Sequence, residues 1–344
     1  MKKKDITIYD IARQLSLSTS TVSRSLQNHP SINRLTRQKV EKKAQELGYR
    51  YNPFAGSLRM QRTNTIGFLV HELNSNFITS VLSGIEKVTT AAGYDLLIAH
   101  SSENAEKEIA NARNFFNKRV DGLIASLSFE TRNLDHFQPF NDKGIPLVFF
   151  DRVEENNEQN TSVIIDNHKC GYQATMHLIE QGCKRIVLAT SNLQRNVYRE
   201  RHRGYKDALH EMGIPYRESL VLITDLSEKA AMETANRVMK MHPLPDGIFI
   251  THDFSAAVCM QVLKDHGFHI PRDIAIVGFN NDGISKLVEP RLTTINYPGT
   301  DLGEIVARNL IEQLNGKDTL KVTNTIIIRS DLLIRQSSLK KDFQ

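Results

Sequence analysis

Apolar residues recur at two different periods along this chain, and the change of period divides it. Over the first fifty residues the spacing is helical. Ile8, Ile11, Ala12 and Leu15 fall on one face of a first helix over residues 7–15, with Thr7 and Asp10 spaced as a capping-box start. Ser16, Leu17 and Ser18 supply a turn. Val22 and Leu26 give a second helix, residues 18–26, its own short apolar face, and leave Thr19, Ser20 and Arg24 pointing outward. Ala12 must be small because the two helices cross there, and Val22 plugs the angle between them. After the break at Asn28, His29 and Pro30, a third helix over residues 35–47 turns Val40, Ala44 and Leu47 inward and Lys39, Lys42 and Lys43 outward, and Gly48 stops it. The pattern predicts a helix-turn-helix whose second helix offers hydroxyls and one arginine, groups that reach base edges and phosphates in a DNA major groove.

From Thr65 the texture changes to short continuous apolar runs separated by helical stretches. The runs are 66–70, 95–99, 122–125, 146–150, 163–165, 186–189, 220–223, 248–250 and 274–277; helical stretches such as 77–92 and 104–118 lie between them. Continuous apolar strands with intervening helices predict parallel sheets covered on both faces. Nine strands exceed one tidy sheet of this kind, so two α/β lobes with a cleft between them are expected. Ligands of such sheets bind beyond the carboxyl ends of the strands. Polar residues follow nearly every run: His71, Ser126, Asp151, Arg152, Asp166, Asn167, Arg201, Asp225, His252, Asn280 and Asp282, with Phe77 and Phe254 nearby. That mixture suits a sugar, whose edges take amides and carboxylates and whose flat face takes an aromatic ring.

Charge sharpens the division. Residues 1–62 carry 13 Lys/Arg against 4 Asp/Glu, a net of +9, while the remainder carries 31 against 35, a net of −4. A basic module attached to a slightly acidic body suits phosphate neutralisation by one end only. No apolar run approaches a membrane span, and no secretory leader is read at the start. Three widely spaced cysteines, Cys170, Cys183 and Cys259, form neither a disulfide framework nor a zinc pattern. These features predict a cytoplasmic protein without metal or cofactor. Residues 49–63 between head and body read as a linker in which Asn52 and Pro53 could start a short helix. Leu58, flanked by Arg59 and Arg62, could then wedge between base steps from the minor groove.

The runs Ile8-Tyr9-Asp10-Ile11-Ala12, Ser18-Thr19-Ser20-Thr21-Val22-Ser23-Arg24, Leu47-Gly48-Tyr49, Asn52-Pro53-Phe54-Ala55-Gly56-Ser57-Leu58 and Thr65-Ile66-Gly67, in that order and spacing, resemble the lactose-repressor/galactose-repressor family of bacterial transcription regulators. Val120-Asp121-Gly122-Leu123-Ile124, Asp151-Arg152, Arg201-His202-Arg203-Gly204-Tyr205, Val277-Gly278-Phe279 and Leu292-Thr293-Thr294-Ile295 extend the resemblance through the body. It implies an all-α helix-turn-helix head (1–50), a hinge (51–63) and a periplasmic-binding-protein-like body (64–344). Its two α/β lobes would be roughly 64–162 with 292–323, and 163–291 with 324–337. It implies a homodimer on a pseudo-palindromic double-stranded operator and a small-molecule effector, usually a sugar. DNA contacts would fall on Thr7, Ser18, Thr19, Ser20, Thr21, Ser23, Arg24, Asn28, Asn52, Ala55, Leu58 and Arg59. Effector contacts would fall on Phe77, Ser126, Asp151, Arg201, Leu226, His252, Phe254 and Asn280. The sequence departs from the family pattern at Ser16, where glycine is usual, at Tyr51, where proline is usual, and at His252 and Asn280, where many relatives have Asn and Asp.

The expected function is therefore a repressor whose operator affinity is set by a ligand held between the lobes. Such coupling requires that ligand and DNA change one another's affinity equally. A sugar-binding protein without a DNA role would use the body alone, but would leave the basic helical head unexplained. An enzyme on a doubly wound fold would need a nucleotide fingerprint, and the sequence contains neither common Gly-rich kind. His266 and His269 form a His-x-x-His pair in a helix-to-strand loop without an acidic or cysteine partner at metal-site spacing, and read as surface residues.

Overall fold

The computed structural model describes residues 6–49, 62–155, 157–316 and 325–340. The chain divides into two compact units, Met1–Thr63 and Asn64–Gln344.

In the first unit, α1 (Ile8–Leu15), α2 (Thr19–Leu26) and α3 (Arg34–Leu47) close around Ile11, Ala12, Val22, Val40 and Ala44. The Asp10 carboxylate accepts from the Thr7 amide at 2.9 Å and the Thr7 hydroxyl at 2.7 Å, fixing the start of α1. Ser18 caps α2 by accepting from the Thr21 amide at 3.1 Å. The turn between the helices places Ser16 at φ 53°, ψ 40°. This left-handed conformation costs a residue with a Cβ about 1–2 kcal/mol. Ser16→Gly is expected to raise the stability of the head by roughly 0.5–1 kcal/mol, since glycine removes the strain but loses more chain entropy. Thermal unfolding of the head followed by circular dichroism checks this, and a lowered midpoint would refute it.

The second unit holds two six-stranded sheets. Its strands are β1 (Thr65–Val70), β2 (Asp95–His100), β3 (Gly122–Ala125), β4 (Leu147–Phe150), β5 (Thr161–Ile165), β6 (Ile186–Thr190), β7 (Val221–Ile223), β8 (Gly247–Ile250), β9 (Ala275–Asn280), β10 (Thr293–Asn296), β11 (Thr325–Ile328) and β12 (Leu332–Leu333). The helices are α4 (Asn76–Ala91), α5 (Ala105–Asn117), α6 (Gln138–Asp142), α7 (Asn167–Glu180), α8 (Asn196–Glu211), α9 (Glu228–Met239), α10 (Asp253–Asp265), α11 (Ile284–Leu287) and α12 (Gly299–Leu314). The first sheet runs β11-β5-β4-β3-β1-β2 and is parallel throughout. The second runs β12-β10-β9-β8-β6-β7, with only β12 antiparallel.

Alternation within the buried strands explains their continuous apolar character. In β4, Val148 and Phe150 enter one core cluster while Leu147 and Phe149 enter the cluster on the opposite face. In β8, Phe249 faces one way and Ile248 and Ile250 the other.

The lobe bounds expected from sequence are corrected. β5 and β11 pair in the first sheet and β10 in the second, so residues 163–165 and 325–328 belong to the first lobe and 293–296 to the second. Among the described residues the chain crosses between lobes after completing a strand, following Ile165, Asn296 and Ile328. The sequence concealed β10 because Thr293 and Thr294 look polar, yet both are fully buried. Their hydroxyls are satisfied internally: Thr293 donates to the Arg335 carbonyl at 2.8 Å and Thr294 to the Asp253 carboxylate at 2.7 Å.

Candidate functional site

On the head, Val22 and Ser25 are buried, and Ser25 donates back to the Thr21 carbonyl at 2.8 Å. The opposite side of α2 carries Ser20 and Arg24, both exposed and one helical turn apart, beside the half-buried Thr19 and Ser23. Ser18 and Thr21 are engaged with each other at the cap, 2.8 Å between hydroxyls, so their side chains are oriented before any partner arrives. Thr7 is exposed, and Asn28 is exposed at φ 55°. Asn52, Ala55, Leu58 and Arg59, and the short helix expected around them, lie outside the described residues.

In the body, the strand ends of both sheets carry backbone strain. Ser102, Glu103, Asp151, Leu226, Asn280 and Asn281 all have positive φ, Asn280 at the last position of β9 and the others within a few residues after a strand. Such clustering of costly conformations is a property of ligand sites. Asp151 is buried, and its carboxylate accepts from the Tyr297 hydroxyl at 2.9 Å. Tyr297 stacks on Phe77, with ring centroids 4.1 Å apart. Arg201 is also buried. Its Nε donates to Asn167 Oδ1 at 2.9 Å and Nη1 to the Thr251 carbonyl at 3.4 Å, while its guanidinium lies 3.5 Å from the centre of the Phe279 ring. No contact ion pair joins Arg201 to Asp151, although each feels the other's charge. Burial holds the Asp151 carboxyl above its ordinary range, opposed by Arg152 and then Arg201. Arg152 pairs with Glu103 at 2.7 Å and covers the Phe129 ring at 4.0 Å, and the Tyr198 ring lies 5.8 Å away.

A second cluster belongs to the second lobe. His252 Nδ1 is 3.0 Å from the Ser255 hydroxyl, which donates to the Leu226 carbonyl. His252 Nε2 lies 4.0 Å from Asp282, whose carboxylate takes a hydrogen bond from Asn280. Burial pushes His252 down to about 4, so its imidazole is neutral at pH 7, and pushes Asp282 up to about 6. The folded Asp282 thus holds its proton more tightly than an unfolded aspartate with the ordinary value of 3.8. Its contribution to stability is present below that value and is lost as pH rises through about 6. Asp282→Asn is expected to raise the melting temperature at pH 7 and to flatten its pH dependence between 4 and 6. A lowered melting temperature at pH 7 would show that the carboxylate is stabilised there by partners.

Two cavities are lined by residues of both lobes, and neither lining includes Asp151 or Arg201. One, about 630 Å³, is lined by Phe77, Asn280, Asp282, Tyr297 and Gly299 among others; the other, about 570 Å³, by Phe129, Thr131, His136, Asn192 and Gln194 among others. Both are of small-ligand size.

Glycines let the helices that carry these residues approach backbone to backbone. A Cβ on Gly171 of α7 would lie 2.2 Å from the Arg201 carbonyl oxygen, and one on Gly204 of α8 would lie 2.1 Å from the His168 carbonyl oxygen. The first lobe repeats the device: Gly84 of α4 and Gly303 of α12 would each meet a backbone oxygen of the opposite helix at 2.1 Å.

The structure brings together most of the effector residues expected from sequence. Asp151 and Phe77 join through Tyr297, Arg201 reaches Tyr297 by way of the Phe279 ring, and Leu226, His252 and Asn280 join through Ser255 and Asp282. Ser126 is buried, its hydroxyl 3.4 Å from His71 Nδ1. Phe254 lies beside His252, its ring centre 6.5 Å from that of the imidazole, and is 43% exposed. Sequence reasoning missed Tyr297, whose signal was its place just after the unrecognised β10. It also did not single out Asn196, Tyr198 or Ser255, which lie beside residues that it did name. His269 bonds Asp273 at 3.1 Å and His266 bonds the Val262 carbonyl at 2.8 Å, both locally. The three cysteines are buried and free. No helix among the described residues is long and apolar enough to cross a membrane.

A three-helix head with an exposed hydroxyl-and-arginine face, followed by a two-lobed body with a polar cleft, defines a DNA-binding transcription regulator with a ligand-binding domain. Comparison with known proteins specifies which. Residues 7–52 match bacterial regulatory proteins of the lacI family, and residues 63–336 match the periplasmic binding proteins and sugar binding domain of the LacI family. Catabolite control protein A of Priestia megaterium is 31% identical over 92% of this chain and 94% of its own length. The transcriptional repressor PurR of Vibrio atlanticus is 32% identical over 91% and 93%. Among solved structures, the transcriptional regulator CelR–cellobiose complex superposes with a TM-score of 0.73 at 25% identity, covering 96% of this chain and 99% of that one. The lac repressor dimer bound to operator and the anti-inducer ONPF shares the fold, with a TM-score of 0.87 at 22% identity over 98% and 100%. The chain belongs to the LacI family of bacterial transcriptional regulators. The relatives named here are regulators, not enzymes.

Proposed function

We propose that this regulator is a homodimeric repressor that reads a pseudo-palindromic operator through α2 and is controlled by an uncharged, polyhydroxylated ligand held between the lobes. Thr19, Ser20, Ser23 and Arg24 face the major groove. Thr7, Ser18, Thr21 and Asn28 contact the backbone or position the helix, and Asn52, Ala55, Leu58 and Arg59 act from the minor groove. The ligand is held by Asp151 and Arg201 from opposite lobes, with Ser126, His252 and Asn280 at its polar edge and Phe77 and Leu226 at its apolar one. Phe254, beside His252, adds a second aromatic wall.

The observation that carries the ligand class is the charge balance of the cleft. Arg152 is matched by Glu103 at 2.7 Å, Arg201 faces Asp151, and His252 is neutral at pH 7. A phosphate or carboxylate would therefore compete with Glu103 for Arg152 and with Asp151 for the field of Arg201, whereas hydroxyls find acceptors and donors together. One structural relative, CelR, was solved as a complex with cellobiose, an uncharged sugar.

Selection of bound sequences from a random DNA library, using the full-length protein with and without a pool of neutral sugars, tests this reading. A two-fold symmetric motif whose recovery depends on the pool is expected. A motif that responds only to phosphorylated sugars would overturn the ligand class, and no motif in any condition would overturn the operator reading.

A further inference from the structure

Asp151 is held from two sides, and one of the holders belongs to the other lobe. Asn196, the first residue of α8, reaches from the second lobe to the turn that follows β4 in the first. Its Nδ2 donates to the Asp151 carbonyl at 2.9 Å, and its Oδ1 accepts from the Val153 amide at 3.1 Å. All three residues are buried. A side-chain amide is the one group that can supply a donor and an acceptor in this arrangement, as a neighbouring strand would. Immediately before these two bonds the backbone of Asp151 turns left-handed, at φ 58°, its own amide donating to the Val163 carbonyl at 3.1 Å within the first lobe. The carboxylate beyond it is then set by the Tyr297 hydroxyl.

We infer that Asn196 is a positioning residue that couples apposition of the lobes to the orientation of the Asp151 carboxylate. While the lobes are together, Asn196 holds the turn in its left-handed form and aims Asp151 at the ligand. When the lobes separate, both bonds break, the turn relaxes, and the ligand-holding carboxylate is withdrawn. This assignment rests on reading the cleft as the ligand site.

Other contacts cross near the same place, among them the Tyr198 ring, 5.8 Å from that of Phe129. Arg195 donates to the Thr131 carbonyl, and Arg199 pairs with Glu155 at 2.6 Å. The Arg199–Glu155 pair is well exposed, with side chains 39% and 48% accessible, and pairs of that kind contribute little. The Asn196 bonds are buried, and removing a buried partner leaves a donor and an acceptor unmet.

The test uses the full-length protein with neither sugar nor DNA. Amide hydrogen exchange is measured at Val153, and the distance between lobes is measured with nitroxides on Lys143→Cys and Lys229→Cys, in labelled protein diluted with unlabelled. Asn196→Ala is expected to speed exchange at Val153 about tenfold or more, the loss of one hydrogen bond, and to shift the distance distribution to longer values. Asn196→Asp keeps an acceptor for Val153 but cannot donate to the Asp151 carbonyl. It is expected to speed Val153 exchange and lengthen the distance, both by less than Asn196→Ala does. Arg199→Ala is expected to change neither. Protection of the α7 and α8 amides should be unaltered in all three variants. Unchanged Val153 exchange or distance in Asn196→Ala overturns the assignment. Loss of α7 and α8 protection alongside it does so too, because the role would then be support of the helix. Since no sugar enters the experiment, a protein that binds none can still retain the coupling, and one that binds sugar can still lack it.

Discussion

Arg201→Ala is expected to abolish the ligand response while leaving operator binding within a few-fold of the unaltered protein. Arg201 sits on α8, in the body, and the DNA-reading residues belong to a separate compact unit. Its guanidinium is fixed by Asn167 and the Thr251 carbonyl and lies on the Phe279 ring, so its geometry is set before a ligand arrives. Truncating a buried hydrogen-bonded charge of this kind costs about 2–5 kcal/mol of binding, or roughly 30-fold to several thousand-fold. Arg201→Lys should behave almost as badly, because an ammonium cannot reproduce a planar fork that donates through Nε while it stacks. Titrating the selected operator with and without sugar checks both variants. A normal sugar response in Arg201→Ala would remove this residue from the site.

The second large effect is expected from Gly204→Ala. The added methyl would lie 2.1 Å from the His168 carbonyl oxygen and 2.5 Å from the Tyr172 nitrogen, both of them backbone. No side chain can swing away to relieve either contact, so α7 and α8 must part. Overpacking of this severity costs about 3 kcal/mol or more. The separation would also carry Asn196 and Arg201 away from the first lobe, so ligand binding should fail together with stability. Gly283→Ala is the matched control, since nothing lies within 4 Å of its added Cβ. Thermal melting of the two variants side by side decides the matter: similar midpoints would mean that the helices can yield at little cost.

Much of this architecture is legible in the amino-acid sequence. Three helices spaced by Ile8, Ile11, Val22, Val40 and Ala44 announce the head, because a small core leaves few alternatives. Most of the buried strands announce themselves because both faces are covered, and runs such as Leu147-Val148-Phe149-Phe150 have no other use. The crossings between lobes are not legible. β10 fills a core position with threonines whose hydroxyls are bonded to partners some forty residues distant, and no local pattern encodes that. The cleft is half legible. Charged residues at strand ends stand out in a sequence, whereas Tyr297 and Asn196 matter through what they touch.

Among the described residues the chain passes between the two lobes three times, after β5, after β10 and after β11, but the head is one stretch of sequence. Recombination therefore treats the two parts differently. A single junction near Thr63 is enough to give this body another reading head, or this head another sensor. Exchanging one lobe would require three simultaneous junctions in register. Variation in which DNA is read and variation in which ligand is sensed can accordingly be inherited separately, whereas the two halves of the sensor must change together.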